Sequence, residues 1–330
     1  MKLAVVGVTG MVGASLLKVL EEYKFEFDEF IPVASEKSVG KSVYLLGKEY
    51  KVVSLEQALE QKPDIAIFSA GKSVSLDWAP KFASNNCFVV DNSSAWRMDK
   101  DIPLIIPEVN ISILENYNKI IANPNCSTIQ LAVVLWALHL KYKLKRVVVS
   151  TYQSVTGTGH KGVNQLMVER AGKKPENMAY PHQIDLNCIP QGGEFLENDY
   201  TEEEMKLVHE TRKILNLPEL KLTSTVVRVP VLGGHSESVN VEFENEFDIS
   251  ELRDILEETD GVSLLDNPQK SIYPMPLTAE NSNLIFVGRV RRDESCENAV
   301  NMWIVADNLR KGAASNAVQI AQYICDNFIE

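Results

Sequence analysis

Cysteine is scarce in this chain, and the little there is forms no pattern. The five cysteines, Cys87, Cys126, Cys188, Cys296 and Cys325, are odd in number and include no Cys-x-x-Cys pair. That argues against a disulfide framework and a thiolate zinc site, and for a reducing, cytoplasmic setting; no metal is expected. No apolar run approaches the ~18 residues that cross a bilayer. Met1 to Gly7 leads straight into glycine, with no long apolar region or small-residue cleavage site behind it, so a secretory signal is not expected. Positive charge is also short, since 33 basic against 45 acidic residues leave a formal net charge of -12. Such a field draws in neither nucleic acid nor an anionic membrane, and an anionic substrate would need a local basic pocket. Repeats and low-complexity segments are absent.

What is present is a globular composition, 45% hydrophobic and 24% charged, on a chain too long for one ordinary core. Two domains are expected. Short apolar runs at 2–6, 30–34, 65–68, 88–90 and 120–122 alternate with helical patterns at 11–22 and 54–61, with Ser54 as N-cap of the latter. Strand–helix alternation predicts a parallel sheet with helices on both faces. The pattern then changes. Longer, half-apolar runs at 146–154, 226–232, 238–243, 286–290 and 302–306 predict a mostly antiparallel sheet in a second domain. The last helical pattern, 313–328, is expected to pack back on the first domain.

Gly7-Val8-Thr9-Gly10-Met11-Val12-Gly13 lies between the first strand and the first helix. Glycines there let the backbone approach a pyrophosphate, and the helix N-terminus adds amide donors and a positive dipole end. The spacing is not the strict G-x-G-x-x-G, and the loop does not separate pyridine from flavin cofactors. The second strand ends in Ala34-Ser35-Glu36-Lys37-Ser38. An acid there favours NAD and a cation with serines favours NADP; both occur, and the reading leans to NADP.

Asn123-Pro124-Asn125-Cys126-Ser127-Thr128 joins a strand to an apolar helix at 129–138, which puts Cys126 at a helix N-terminus. The dipole and free amides there stabilise a thiolate and can hold an oxyanion. The other four cysteines read as small buried residues. Of the five histidines, His235 is the best acid/base partner, in the glycine turn Gly233-Gly234-His235-Ser236. Arg228, seven residues earlier, offers a fork for a carboxylate or phosphate. Arg97 follows a strand end where open α/β sheets bind ligands. Glu203 and Lys206 share a helix face.

These stretches, with Ser69-Ala70-Gly71, Asp91 to Arg97, Tyr152-Gln153 and Ala306 to Ala314, resemble aspartate-β-semialdehyde dehydrogenases along nearly the whole chain. The resemblance implies a Rossmann-like parallel-sheet dinucleotide-binding domain, residues 1–128 completed by a helix at 310–330. It also implies a second α+β catalytic and dimerisation domain at 129–309, in a glyceraldehyde-3-phosphate dehydrogenase-like architecture. It further implies NADP-dependent, reversible reductive dephosphorylation of L-aspartyl-β-phosphate to the semialdehyde, a step toward lysine, diaminopimelate, threonine and methionine. Cys126 would be the nucleophile, His235 the acid/base, and Gln153 the group orienting cysteine and substrate. Arg228 would bind the α-carboxylate, Arg97 and Lys206 phosphate, and Glu203 the amine. Cofactor contacts would come from Thr9, Gly10, Met11, Val12, Ser35, Lys37, Ser38, Gly71, Asn92, Gly157 and Asn308. The family forms homodimers and homotetramers, so at least a dimer is expected. Lys37 stands where the family often has arginine, Val226 where a cysteine is common, and the loop Val155-Thr156-Gly157-Thr158-Gly159 has threonine where serine and alanine are usual. N-acetyl-glutamyl-phosphate reductase or another phosphorylating aldehyde dehydrogenase is the nearest alternative. The Glu203/Lys206 pair argues against the first, because an N-acetylated substrate has no free amine. A cofactor-sensing binding protein is a further alternative, and Cys126, Gln153 and His235 together argue against it.

Overall fold

A computed structural model describes residues 1–329 and divides the chain into two units, Met1–Asn125 with the segment from Ala313, and Cys126–Gly312. The first unit runs β1 (Lys2–Val6), α1 (Met11–Glu22), β2 (Glu29–Val33), β3 (Ser42–Leu45), β4 (Lys48–Lys51), α2 (Leu55–Glu60), β5 (Ile65–Phe68), α3 (Lys72–Ser84), β6 (Phe88–Asp91), α4 (Pro107–Asn110) and β7 (Ile120–Ala122). The second runs α5 (Cys126–Tyr142), β8 (Leu144–Gln153), α6 (His160–Arg170), α7 (Glu202–Leu215), β9 (Lys221–Arg228), β10 (His235–Phe243), α8 (Ile249–Glu258), β11 (Val262–Leu264), α9 (Pro276–Ala279), β12 (Ile285–Arg292) and β13 (Ala299–Ala306). The chain ends in the first unit with α10 (Ser315–Phe328).

The first sheet has the order β2-β1-β5-β6-β7 and is parallel throughout. Its strands read as unbroken apolar runs because both faces are covered. Leu3, Val5, Ile65, Ile67 and Val90 join one core with Leu16 of α1 and Ile320 of α10. The alternate residues Ala4, Val6, Ala66, Phe68 and Val89 join another with Ala58 of α2 and Phe82 of α3. Each large apolar side chain so covered contributes roughly 1.5–3 kcal/mol. The order reverses between β1 and β5, and ligands of open parallel sheets bind beyond the strand ends at such a point. The Gly7–Gly13 loop leaves one of those ends and Ser69-Ala70-Gly71 the other.

The second sheet has the order β11-β12-β13-β10-β8-β9. Its interior pairs, β12/β13, β13/β10 and β10/β8, are antiparallel, as the alternating patterns predicted. Its edge pairs are parallel, β11 on β12 and β9 on β8. The latter is forced by a crossover that includes α6 and α7, since parallel neighbours need a long connection. One face of this sheet carries Val147, Val149, Thr151 and Gln153 of β8 and Glu237, Val239 and Val241 of β10, all buried. Helix α5 packs on β8, β10 and β13 and is buried nearly all round from Ser127 to Leu135, which is why it shows no amphipathic stripe. The other face carries Tyr152 and Trp303, whose rings lie 5.3 Å apart. No helix among the described residues is long and apolar enough to cross a membrane.

Candidate active site

In the first unit, the loop after β1 is shaped by two glycines that have no room for a side chain. A Cβ on Gly7, where φ is +88°, would lie 2.3 Å from the Ser69 carbonyl oxygen, and one on Gly13 would lie 2.3 Å from the Gly7 oxygen. Gly10 occupies the N-cap of α1 in an extended conformation. No side chain caps α1 and no acid sits in its first turn, so its amides and dipole remain available to an anion. Thr9 is exposed there, with Met11 and Val12 half-buried. A dinucleotide pyrophosphate fits this cradle. Gly71, with φ +91°, caps α3 after β5.

Ser35 to Ser38 form a short turn off the end of β2, with Ser35, Glu36 and Lys37 exposed and Ser38 buried. The Lys41 ammonium donates to Ser38 Oγ at 3.3 Å, so a second cation, not singled out from the sequence, stands in this turn. Asn92 braces the strand ends. Its Nδ2 donates to the Phe68 carbonyl at 3.0 Å, and its Oδ1 accepts from Asn123 Nδ2 at 2.7 Å. Arg97 is buried, and backbone oxygens aim its guanidinium, Nε donating to Asn123 at 2.9 Å and Nη2 to Asn92 at 2.8 Å.

In the second unit, Cys126 is the first residue of the 17-residue helix α5, three residues earlier than the apolar pattern predicted. It is partly exposed, whereas Cys87 is buried and its thiol is driven up by desolvation. Burial, with Asp326 second, pushes the Cys325 thiol up to about 12. Gly312 packs against the nucleophile candidate, and a Cβ there would lie 2.9 Å from Cys126 Cβ. Gln153 ends β8 fully buried and donates through Nε2 to Ser127 Oγ at 2.7 Å, so it reaches the residue after the cysteine; its Oε1 has no partner.

His235 opens β10 and is the one buried histidine of the five. Its Nδ1 accepts the Ser154 backbone N–H at 3.0 Å, so in the neutral ring the proton sits on Nε2, which has no partner. Burial, and then the Arg228 charge, lower its pKa to about 3, against an opposing effect of Glu203. Arg228 Nη1 and His235 Nε2 converge on Gly157, whose Cβ would lie 2.9 Å from the first and 3.1 Å from the second. Lys206 pairs with Glu203 at 3.2 Å, and Glu203 is pressed toward β9 beside Gly192 and Val226. Asn308 accepts from Thr156 Oγ1 at 2.9 Å, which ties it to the turn that holds Gly157. Ser154 and Gln130, which help position these groups, escaped the sequence reading, since they carry no charge and lie in no recognisable spacing. Ser127 and Gly312 fall in stretches that carry the resemblance, but neither shows a role by sequence alone.

Comparison with known proteins identifies the family. Residues 2–117 match the semialdehyde dehydrogenase NAD binding domain and residues 135–311 the semialdehyde dehydrogenase dimerisation domain. Aspartate-semialdehyde dehydrogenase of Aquifex aeolicus is 50% identical, covering 98% of this chain and 97% of its own. The chain belongs to the aspartate-semialdehyde dehydrogenase family. The Bacillus subtilis member is 43% identical over 97% of this chain and 96% of its own. The crystal structure of aspartate semialdehyde dehydrogenase II from Vibrio cholerae, complexed with ASA, superposes with a TM-score of 0.94. It is 43% identical and covers 99% of this chain and 98% of its own. As a member of this family the chain is an oxidoreductase, with a nicotinamide-dinucleotide-binding domain followed by a dimerisation domain.

Proposed function

We propose that this chain converts L-aspartyl-β-phosphate to L-aspartate-β-semialdehyde and phosphate, reversibly and with NADP, through a thioester on Cys126. The step would serve lysine, diaminopimelate, threonine and methionine synthesis in the cytoplasm. The observation that carries the reading is one constellation in the second unit: a partly exposed cysteine on the first turn of α5, with His235 Nε2 and Arg228 Nη1 converging beside Gly157.

The α5 N-terminus favours the Cys126 thiolate. The thiolate attacks the acyl phosphate carbonyl, the C–O bond to phosphate breaks, and a thioester remains. His235 is the acid/base group. It offers its Nε2–H as a hydrogen bond to the oxygen of each tetrahedral intermediate, which steadies the charge there until collapse. Gln153, held by Ser127, orients the cysteine and substrate. Arg228 binds the α-carboxylate as a fork, and Glu203 meets the amine. Lys206 and Arg97 take phosphate, the latter with its guanidinium already aimed by two carbonyls. Thr9, Gly10, Met11, Val12, Ser35, Lys37, Ser38, Gly71, Asn92, Gly157 and Asn308 hold the cofactor. When bound there, the nicotinamide would supply the hydride needed to reduce the thioester. Breaking of the C–S bond then returns the Cys126 thiolate. Lys37 and Lys41 against the single Glu36 favour a 2′-phosphate, hence NADP. We assign the open sheet face around Tyr152 and Trp303 to self-association, as a homodimer or homotetramer.

The test is phosphate-dependent reduction of NADP by aspartate semialdehyde. Enzyme given aspartyl phosphate without reduced cofactor is expected to release about one phosphate per chain and to carry an acyl group on the Cys126 peptide. Cys126→Ala is expected to do neither. Full activity in that variant, or label on Cys87, Cys188, Cys296 or Cys325, rejects the nucleophile. Preference for an N-acetylated glutamyl substrate rejects the substrate.

A further inference from the structure

Two residues beyond His235 on the same face of β10, Glu237 is completely buried. Its register partners are Thr151 on β8 and Ile304 on β13. Neither carboxyl oxygen has a hydrogen-bond partner, and the same is true of Thr151 Oγ1 and Gln130 Oε1. Gln130 lies on α5 one turn beyond Cys126, fully buried, and its Nε2 donates to the His235 carbonyl at 3.4 Å. Gln130 is also the polar group that acts on the Glu237 carboxyl, in the direction opposite to burial and more weakly than it, and no charged group on the packed elements does. A fully buried carboxylate with no cation beside it is costly to keep ionised. The neutral acid avoids that cost, because its O–H can serve the unmet Gln130 oxygen.

We propose that Glu237 is a positioning residue for the Cys126–His235 pair, acting through Gln130 as a hydrogen-bond donor; this rests on the reading that Cys126 and His235 carry the reaction. The chain runs from the Glu237 O–H to Gln130 Oε1, and from Gln130 Nε2 to the His235 carbonyl. It fastens the strand that bears the histidine to the helix that bears the cysteine. Burial raises the Glu237 carboxyl well above the usual carboxylate range, which favours the protonated donor that this arrangement needs. Ionisation would set an acceptor against an acceptor. The Gln130 amide would then turn its N–H₂ to the carboxylate and release the His235 carbonyl. The titratable neighbour on the strand is His235 itself; the faces of β8, β13 and α5 present Thr151, Ile304 and Gln130.

The test compares Glu237→Gln, which keeps a donor and cannot ionise, with Glu237→Leu, which keeps volume and loses the donor. Glu237→Leu is expected to lower kcat about tenfold or more with KM within about twofold, and Glu237→Gln to restore most of it. The alkaline fall of kcat in the wild type is expected to move up by about one pH unit or more in Glu237→Gln. If Glu237→Leu fails to fold, the alkaline limb of the isosteric Glu237→Gln decides alone. An unmoved limb, a Glu237→Gln variant as slow as Glu237→Leu, or wild-type kcat in Glu237→Leu overturns the proposal. Acyl labelling of Cys126 in the wild type is read alongside. Its absence rejects the nucleophile, whereas normal labelling with unmoved kcat rejects only the role of Glu237.

Discussion

Replacing Gly157 by alanine puts one methyl group at the point where the two most telling side chains of the second unit meet. The added carbon would lie 2.9 Å from Arg228 Nη1 and 3.1 Å from His235 Cε1 and Nε2. Comfortable contacts of carbon with heavy atoms fall at about 3.5–4.0 Å, so the neighbours must give by roughly half an ångström. Gly157 is itself exposed in its short turn and the atoms met are the far ends of side chains, so the fold itself has no reason to fail. A misplacement of about 1 Å at reacting groups can cost on the order of a hundredfold in rate. Half of that suggests about tenfold in kcat/KM, equivalent to about 1.4 kcal/mol. Steady-state kinetics of NADP reduction, with kcat and KM separated, measure the effect. Thermal unfolding should shift by no more than about 2–4 °C, the change expected for 1 kcal/mol in a large domain. Wild-type kcat/KM in the folded variant would refute the convergence of Arg228 and His235 on this turn. A loss confined to cofactor affinity would show that Gly157 serves the dinucleotide alone.

Arg228→Lys keeps the charge and loses the fork, and is expected to lower kcat/KM about tenfold or more, since a point charge cannot grip a carboxylate bidentately. Wild-type efficiency would place the carboxylate elsewhere. Lys37→Ala is expected to weaken NADP and leave NAD nearly untouched, as read by calorimetric titration of both. Lys41→Ala should act in the same direction, because that cation meets Ser38. Equal weakening of both nucleotides would remove the 2′-phosphate contact.

The parallel first sheet was legible because its strands are apolar at nearly every residue, with charges only at strand ends, and its loops carry glycine where backbone crowds backbone, as at Gly7 and Gly13. The β3–β4 hairpin was not, for its strands are mostly exposed and only Leu45 is buried. The run predicted as a strand at 226–232 is instead Lys221–Arg228. Val231 and Leu232 look apolar enough to continue it, but Pro230 has no amide to give to a ladder. Helix α5 begins before its apolar period because Ser127 and Thr128 are polar yet fully buried. The same blindness hid the supports of the site. Cys126, His235 and Arg228 stand out by residue type and neighbours, whereas Ser127, Ser154 and Gln130 matter only through what they touch across the fold.

Those supports also decide where the thiolate comes from. A histidine that deprotonates a cysteine must offer a lone pair and then bear a charge. His235 can do neither readily. Its Nδ1 is taken by the Ser154 amide, its ring is wholly buried, and Arg228 stands beside it. With a pKa of about 3 in place of the ordinary 6.5, it stays neutral across the working range. On the proposed function, the α5 N-terminus would then hold the Cys126 thiolate, and His235 would serve by offering Nε2–H to an oxygen. The acid limb of kcat should therefore carry no transition assignable to His235. Stability carries one, however. Between about pH 6.5 and 3 the unfolded chain binds a proton that the native ring refuses, so the native state loses stability as pH falls through that window. His235→Gln should flatten this slope in thermal unfolding measured from pH 7 to 4. It should also slow turnover by roughly a hundredfold. An ¹⁵N-labelled His235 that titrates near 6.5 in the folded enzyme would overturn the assignment and return the thiol's proton to the imidazole.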